Sequence, residues 1–154
     1  MAYSIDEKGS EYFTIYVRNI NDNKIVEEPI EETSGGITWT YDDRSFFYSK
    51  LDKLHRPRQV FQHILGTSPK DDRLIYEEKD ERFTCGLGLS SDEKYYFLSV
   101  TEHTTSEVYR INKDDKKLEP KIFIKREPGV QYSVNSWNGY FWMNTYCLLY
   151  TSPS

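Results

Sequence analysis

The sequence predicts an all-β chain, a partial β-propeller of about three blades, each blade a four-stranded antiparallel sheet. Three observations predict it. Aromatic residues make up 16% of the chain, with 13 Tyr, 8 Phe and 3 Trp, and such side chains suit a pleated, half-buried surface. Short strand-like runs ending in a small polar residue recur, as Ala2-Tyr3-Ser4, Phe47-Tyr48-Ser49, Phe97-Leu98-Ser99 and Trp142-Met143-Asn144, at offsets of 45, 50 and 45 residues. Inside one such period four strands can be counted, and four strands per roughly 45 residues is the arithmetic of a propeller blade.

Taken in order, residues 2–30 supply three strands, the back of one blade. The next period gives strands at 37–40, 45–51, 59–65 and 73–78, and the one after it strands at 84–89, 95–101, 106–111 and 121–125. Residues 131–145 supply two more, the front of a further blade. A polar tight turn precedes three of the recurring runs: Asp42-Asp43-Arg44-Ser45, Ser91-Asp92-Glu93-Lys94 and Trp137-Asn138-Gly139. Asp and Asn favour such turns because their side chains bond the local backbone and tolerate left-handed geometry. Residues 52–58, with Pro57, and the acidic run 27–32 read as connections, and no helix is expected. Breaks between sheets are expected near 31–35, 80–83 and 128–129. An ordinary antiparallel sandwich also spaces short strands closely, but it does not predict similar turns at a fixed long interval. A chain with two whole blades and two partial ones should leave strand edges open at 2–6 and around 140–145. It should then aggregate, or melt without a cooperative transition, with or without residues 147–154.

Length and charge narrow the function classes. A chain of 154 residues suggests one domain. Its 20 basic and 25 acidic residues give a net charge of −5, and an acidic surface without a basic stripe argues against nucleic acid as a partner. No apolar run approaches a membrane span, and the residues after Met1 are acidic rather than signal-like, so no membrane partner and a reducing, intracellular setting are expected. Two cysteines, Cys85 and Cys147, make neither a disulfide framework nor a four-ligand zinc site.

Chemistry is sparse. The nearest approach to a G-x-S-x-G elbow, Gly86-Leu87-Gly88-Leu89-Ser90, has its Ser in the wrong place. His55, His63 and His103 occur singly and read as structural residues, and Cys85 reads as a small core residue. Adjacent acids such as Glu27-Glu28, Glu31-Glu32, Asp71-Asp72 and Glu77-Glu78 point to opposite faces of a strand, so they do not share a proton or a metal. They read chiefly as solvated edges and loops; a second reading is an acidic wall that concentrates cationic peptides. No catalytic, cofactor-binding or metal-ligating residue is therefore assigned, and no cofactor is expected.

The last eight residues, Cys147 to Ser154, break the pattern. Their string resembles the translation of a transposase-end adaptor used in preparing sequencing libraries, and such scars are excluded from fold reasoning. On that reading residues 1–146 form the partial propeller domain and 147–154 are a non-native tail. The alternative is an apolar strand with a polar terminus.

The segment Arg56-Pro57-Arg58-Gln59-Val60-Phe61-Gln62-His63-Ile64-Leu65-Gly66-Thr67, followed by Asp72-Arg73-Leu74-Ile75-Tyr76-Glu77-Glu78-Lys79-Asp80-Glu81-Arg82-Phe83, resembles the prolyl oligopeptidase family. Further matches are Ala2-Tyr3-Ser4-Ile5-Asp6 with Gly9, Thr104-Thr105-Ser106-Glu107-Val108 and Tyr132-Ser133-Val134. The Arg56-Pro57 approach and the Thr-Thr-Ser-Glu-Val run are most similar to the oligopeptidase B branch. The resemblance implies a propeller of seven blades in a parent enzyme, joined to an α/β-hydrolase domain with a Ser, Asp, His triad. It implies cleavage of short basic peptides after Arg or Lys, in the cytoplasm. The triad and the residues that fix the basic side chain lie in family segments absent from this sequence, so none carries over to a position here. The rival from another class is a non-enzymatic β-propeller that serves as an interaction platform. A downstream G-x-S-x-G on an α/β pattern, as against further blades, separates the two.

Overall fold

A computed structural model describes residues 1–147. Apart from one 3-10 turn at Pro69–Asp71, its regular elements are antiparallel strands, in two units, Met1–Lys79 and Asp80–Ser154. Residue 147 closes the last strand, and the remainder of the expected tail lies outside the described residues.

The first unit is a six-stranded meander, β1 Ala2–Ile5, β2 Phe13–Val17, β3 Ile30–Trp39, β4 Ser45–Leu51, β5 Pro57–Ile64 and β6 Arg73–Glu77, hydrogen-bonded in that order. The expected break at 31–35 takes a different form. The last strand of the first blade and the first strand of the second run together as β3, which changes partner through a kink where Glu32 and Gly35 hold positive φ. Its start pairs with β2 (Ile15↔Ile30) and its end with β4 (Trp39↔Phe46), with a register slip between Thr33 and Ile37. Local chemistry fixes the slip. The buried Thr33 hydroxyl donates to the Phe13 carbonyl at 2.9 Å, and Gly35 holds φ +83°. A Cβ on Gly35 would lie 2.8 Å from Phe13 Cγ, so glycine is required there. The connections are also shorter than expected, because β5 already begins at Pro57 and β3 at Ile30.

The core of this unit joins the two halves of the meander. Ile15, Val17 and Ile30 from one half and Phe46 and Tyr48 from the other are buried together, with Ala2, Ile37, Trp39, Phe61 and Leu65 packed around them. Each such side chain contributes about 1.5–3 kcal/mol on burial.

The second unit holds β7 Thr84–Leu89, β8 Tyr95–Thr101, β9 Ser106–Asn112 and β10 Lys121–Ile124 in the order β10-β9-β8-β7, then the separate hairpin β11 Val130–Trp137 and β12 Tyr140–Cys147. Phe97 and Val108 of the sheet pack on Tyr132 of the hairpin, with Tyr95, Ile124, Val130 and Val134 around them. Ser106 Oγ fastens the two, accepting the Tyr132 N–H at 2.7 Å and donating to its carbonyl at 2.9 Å. In both units one antiparallel sheet packs its face on the next, as propeller blades do.

The repeat is visible at atomic detail. Thr40 N–H donates to the Ser45 carbonyl at 2.9 Å and Ser90 N–H to that of Tyr95 at 2.8 Å. The Thr40 hydroxyl donates to Asp42 at 2.7 Å, and the Ser90 hydroxyl to Asp92 at 2.8 Å. Asp43 and Glu93 both stand at φ 55°. The third turn departs from this form: Asn138 and Gly139, at φ 52° and 79°, make a tight two-residue hairpin.

Candidate functional site

His63, on β5, is fully buried and has carboxylates on both sides. Its Nδ1 lies 2.7 Å from Asp72 Oδ1, and the Tyr48 hydroxyl donates to the other Asp72 oxygen at 2.8 Å. Burial, and then that carboxylate, push the Tyr48 pKa far up. On the opposite side His63 Nε2 faces Glu27 Oε2 at 3.9 Å, while Glu27 Oε1 accepts the Gly66 N–H at 2.9 Å. A His–Asp pair is two-thirds of a hydrolase triad, but here a carboxylate stands where a nucleophile would be needed. The Phe46 ring, 5.2 Å away, and zero exposure close the imidazole off from substrate. The constellation pins the connector before β3 to the loop after β5, in keeping with a structural role for His63.

The other residues singled out from the sequence are placed apart from this group. Ser90 is buried in its turn, and Lys94 and Tyr95 N–H groups donate to its hydroxyl. His55 lies against the Tyr12 ring, with centroids 3.9 Å apart. Cys85 is buried in β7. Glu78 is buried and Glu77 exposed, as strand alternation requires, but Glu31 and Glu32 depart from the expectation: both are exposed and line one cleft, because Glu32 stands at φ 59° and breaks the alternation of β3. Among the described residues no group of three or more His, Cys, Asp or Glu side chains is placed to hold a metal ion.

In the second unit Glu107 is buried and holds Arg126, whose Nη2 donates to it at 3.1 Å and whose N–H donates to its other oxygen at 3.1 Å. Burial raises the Glu107 pKa, but the hydrogen bonds from Arg126 and Tyr109 outweigh it and the net shift is downward. Arg126 also stacks 4.2 Å over the Phe83 ring.

The acidic-wall reading finds its counterpart in the first unit. A cleft of about 470 Å³ is lined by Glu7, Glu31 and Glu32, the rings of Tyr12 and Tyr16, and a single cation, Lys8. Alternation along β2 and the residue before it puts Tyr12, Thr14 and Tyr16 on one face. Asp6 shapes the rim, accepting the Lys8, Ser10 and Glu11 N–H groups at 3.2, 3.0 and 2.7 Å, and the Glu11 bond foremost lowers its pKa. Tyr16 donates to Glu7 at 2.7 Å, and that bond raises the Tyr16 pKa. Sequence reasoning named Glu31-Glu32 but missed Glu7 and the two tyrosines. The period-2 spacing of Tyr12, Thr14 and Tyr16 was the available signal.

Face-packed antiparallel strands with repeated turns are the features of a propeller module. The chain belongs to the family described as prolyl oligopeptidase, N-terminal beta-propeller domain, whose model matches residues 1–148. Among curated relatives, "Protease 2" of Moraxella lacunata is 30% identical over 89% of this chain and 20% of its own length. "Dipeptidyl aminopeptidase BI" of Pseudoxanthomonas mexicana is 31% identical over 88% of this chain and 19% of its own. Oligopeptidase B from Leishmania major superposes with a TM-score of 0.84 at 28% identity, covering 88% of this chain and 19% of that one. Oligopeptidase B from Trypanosoma brucei, with covalently bound antipain in a closed form, gives 0.83 at 28%, covering 94% and 20%. The chain thus spans about a fifth of the length of these relatives.

Proposed function

We propose that this chain is the substrate-gating propeller portion of a cytoplasmic serine oligopeptidase that hydrolyses short peptides after Arg or Lys. Its catalytic α/β-hydrolase domain, with the Ser, Asp, His triad, lies outside this sequence. The observation that carries the reading is the likeness to oligopeptidase B over most of the chain, at a TM-score of 0.84.

In such an enzyme the propeller acts as filter and cover. Blades over the active site admit slender peptides and exclude folded proteins. The same cover removes bulk water, which strengthens electrostatic stabilisation of the reacting carbonyl. Opening between domains gates entry and product release. The cleft of Glu7, Glu31 and Glu32 raises the local concentration of cationic peptides.

The test is to sequence the coding DNA downstream of Tyr146, express the parent, and compare peptides with Arg, Lys or Pro before the scissile bond. Hydrolysis after Arg and Lys that a serine-directed phosphonylating reagent abolishes, with none by the 154-residue chain, is expected. Further blades running to a stop codon, or a preference for Pro, would refute the reading. Glu31→Gln with Glu32→Gln should raise KM for an Arg substrate about two- to fivefold at low salt and leave kcat unchanged. An unchanged KM removes the cleft from the mechanism.

A further inference from the structure

One polar atom in the core of the first unit is left over by the network around Asp72. His63 Nε2 is buried and has no hydrogen-bond partner among the described residues. What faces it, at 3.9 Å, is Glu27 Oε2. The other ring nitrogen is committed: Nδ1 lies 2.7 Å from Asp72 Oδ1, and a carboxylate accepts only from a nitrogen that carries a proton. A neutral imidazole with its proton on Nδ1 therefore turns the Nε2 lone pair toward a second carboxylate, acceptor against acceptor. A second proton converts Nε2 into a donor and puts an imidazolium between two anions.

The ionisable groups around the ring come from three elements. Glu27 belongs to the connector between β2 and β3, residues 18–29; Asp72 follows the 3-10 turn; Tyr48 lies on β4, behind Asp72. Tyr48 keeps its proton, since burial and Asp72 push its pKa far up, and Phe46 of β4 adds an uncharged wall 5.2 Å from the imidazole. Glu28, next on the connector, accepts from the Ser68 hydroxyl at 3.1 Å, and Lys70, Asp71 and Arg73 are exposed. Among the described residues the one basic side chain in ion-pair range of Glu27 or Asp72 is His63 itself.

Glu27 holds the connector in place. Its Oε1 accepts the Gly66 N–H at 2.9 Å while Oε2 reaches toward His63, so one carboxylate spans the loop after β5 and the core. The apolar side chains of the connector contribute little, with Ile20, Ile25 and Val26 71%, 43% and 52% exposed. A segment with few buried contacts opens at low cost, so one hydrogen bond gained or lost changes its population.

We propose that His63 is a pH-sensitive clasp: a proton on Nε2 adds a hydrogen bond to Glu27 and closes the connector against the loop after β5, and loss of that proton releases it. The closed state binds the proton more tightly than the open one. Its added stability is therefore full below the ordinary histidine range near ~6.5 and is lost at higher pH. Only Glu28, Pro29 and Ile30 separate the clasp from Glu31, so it also sets the start of β3 and the carboxylates of the acidic cleft.

Hydrogen exchange of the 154-residue chain from about pH 8 to about pH 5.5, above the range in which carboxylates ordinarily titrate, tests it. After correction for intrinsic exchange rates, protection of the Gly66 and Val26 amides should rise at least about fivefold on acidification, and that of the Ser90 amide in the second unit should not change. Glu27→Gln offers Nε2 a neutral donor and still accepts from Gly66, so its protection should not rise; Glu28→Gln should behave like the unaltered chain. Nitrogen-15 NMR of the imidazole should show Nε2 gaining its proton over the interval in which protection rises, and it decides the matter if Glu27→Gln loses strand content. Four results would each overturn the proposal: protection in the unaltered chain that is flat with pH, a rise that persists in Glu27→Gln, an equal rise at Ser90, or an Nε2 still unprotonated at the acid end.

Discussion

Replacing Asp72 by Ala removes the acceptor on which two buried groups depend. The Tyr48 hydroxyl (2.8 Å) and His63 Nδ1 (2.7 Å) both lose it, and the Asp72 side chain is only 1% exposed, so water does not readily take its place. An unsatisfied buried polar group costs about 1–3 kcal/mol, which puts the two together near 3–5 kcal/mol. At about 1.4 kcal/mol per tenfold, the opening equilibrium shifts roughly 10²- to 10³-fold. The chain has two units with separate cores, so the loss should stay in the first. The assay is residue-resolved hydrogen exchange. Amides of β4 should lose protection by that factor, and amides of β8 should keep theirs. Tyr48→Phe, which removes one donor and leaves the Asp72–His63 contact, should cost only about 1 kcal/mol. Equal losses in β4 and β8, or a change in β4 below about fivefold, would show that the network does not hold the unit together.

Gly35→Ala should destabilise the first unit by about 2–4 kcal/mol in urea unfolding, through left-handed strain and contact with Phe13, whereas Gly36→Ala, with open space at its Cβ, should stay within about 0.5 kcal/mol. Glu107→Ala takes the acceptor from Arg126 and Tyr109, and exchange protection of β9 should fall by about 2–3 kcal/mol while Arg126 remains over Phe83. A hydrogen bond from Arg82 and one from Thr104 lower Asp80 and Glu102, respectively, to about 2. Their folded-state pKa values lie below the ordinary ones, so the stability they add is full above the usual carboxylate range near ~4 and is lost as pH falls through about 2. Carboxyl carbon NMR titration should find both midpoints there; midpoints near 4 would contradict the turn geometry.

The fold was legible where the chain repeats itself. The runs at Phe47, Phe97 and Trp142 fall on β4, β8 and β12, each the strand that follows a recurring turn, and the Asp42 and Asp92 turns share one hydrogen-bond pattern, because the same local requirement recurs at the same place in each repeat. The junction at Thr33 to Gly35 was not legible as it stands. Glu31-Glu32-Thr33-Ser34-Gly35-Gly36 is polar and glycine-rich, which is the composition of a loop. What holds it within β3 is partners far away in sequence: Phe13, whose carbonyl takes the Thr33 hydroxyl, and Ser4, whose hydroxyl donates to the Gly35 carbonyl at 2.9 Å. Local composition cannot report a bond to a residue 31 positions earlier.

The same limit governs the polar groups. The alternation argument separated Glu77 from Glu78 correctly, because it needs only the period of one strand. It could not bring Glu27, Tyr48, His63 and Asp72 together, since these come from a connector, two strands and the end of a 3-10 turn. Once assembled, the group shows why a His–Asp contact by itself does not identify a hydrolase. Catalysis needs an imidazole nitrogen open to a nucleophile and to substrate, and here that nitrogen faces a carboxylate in a site with no exposure. Burial between two acids suits a residue that fixes one segment against another. The acidic cleft at Glu7, Glu31 and Glu32 is the converse case, exposed carboxylates from a turn and from the start of β3 that can attract a cation. Attraction of that kind is what the proposed gating role asks of the cleft.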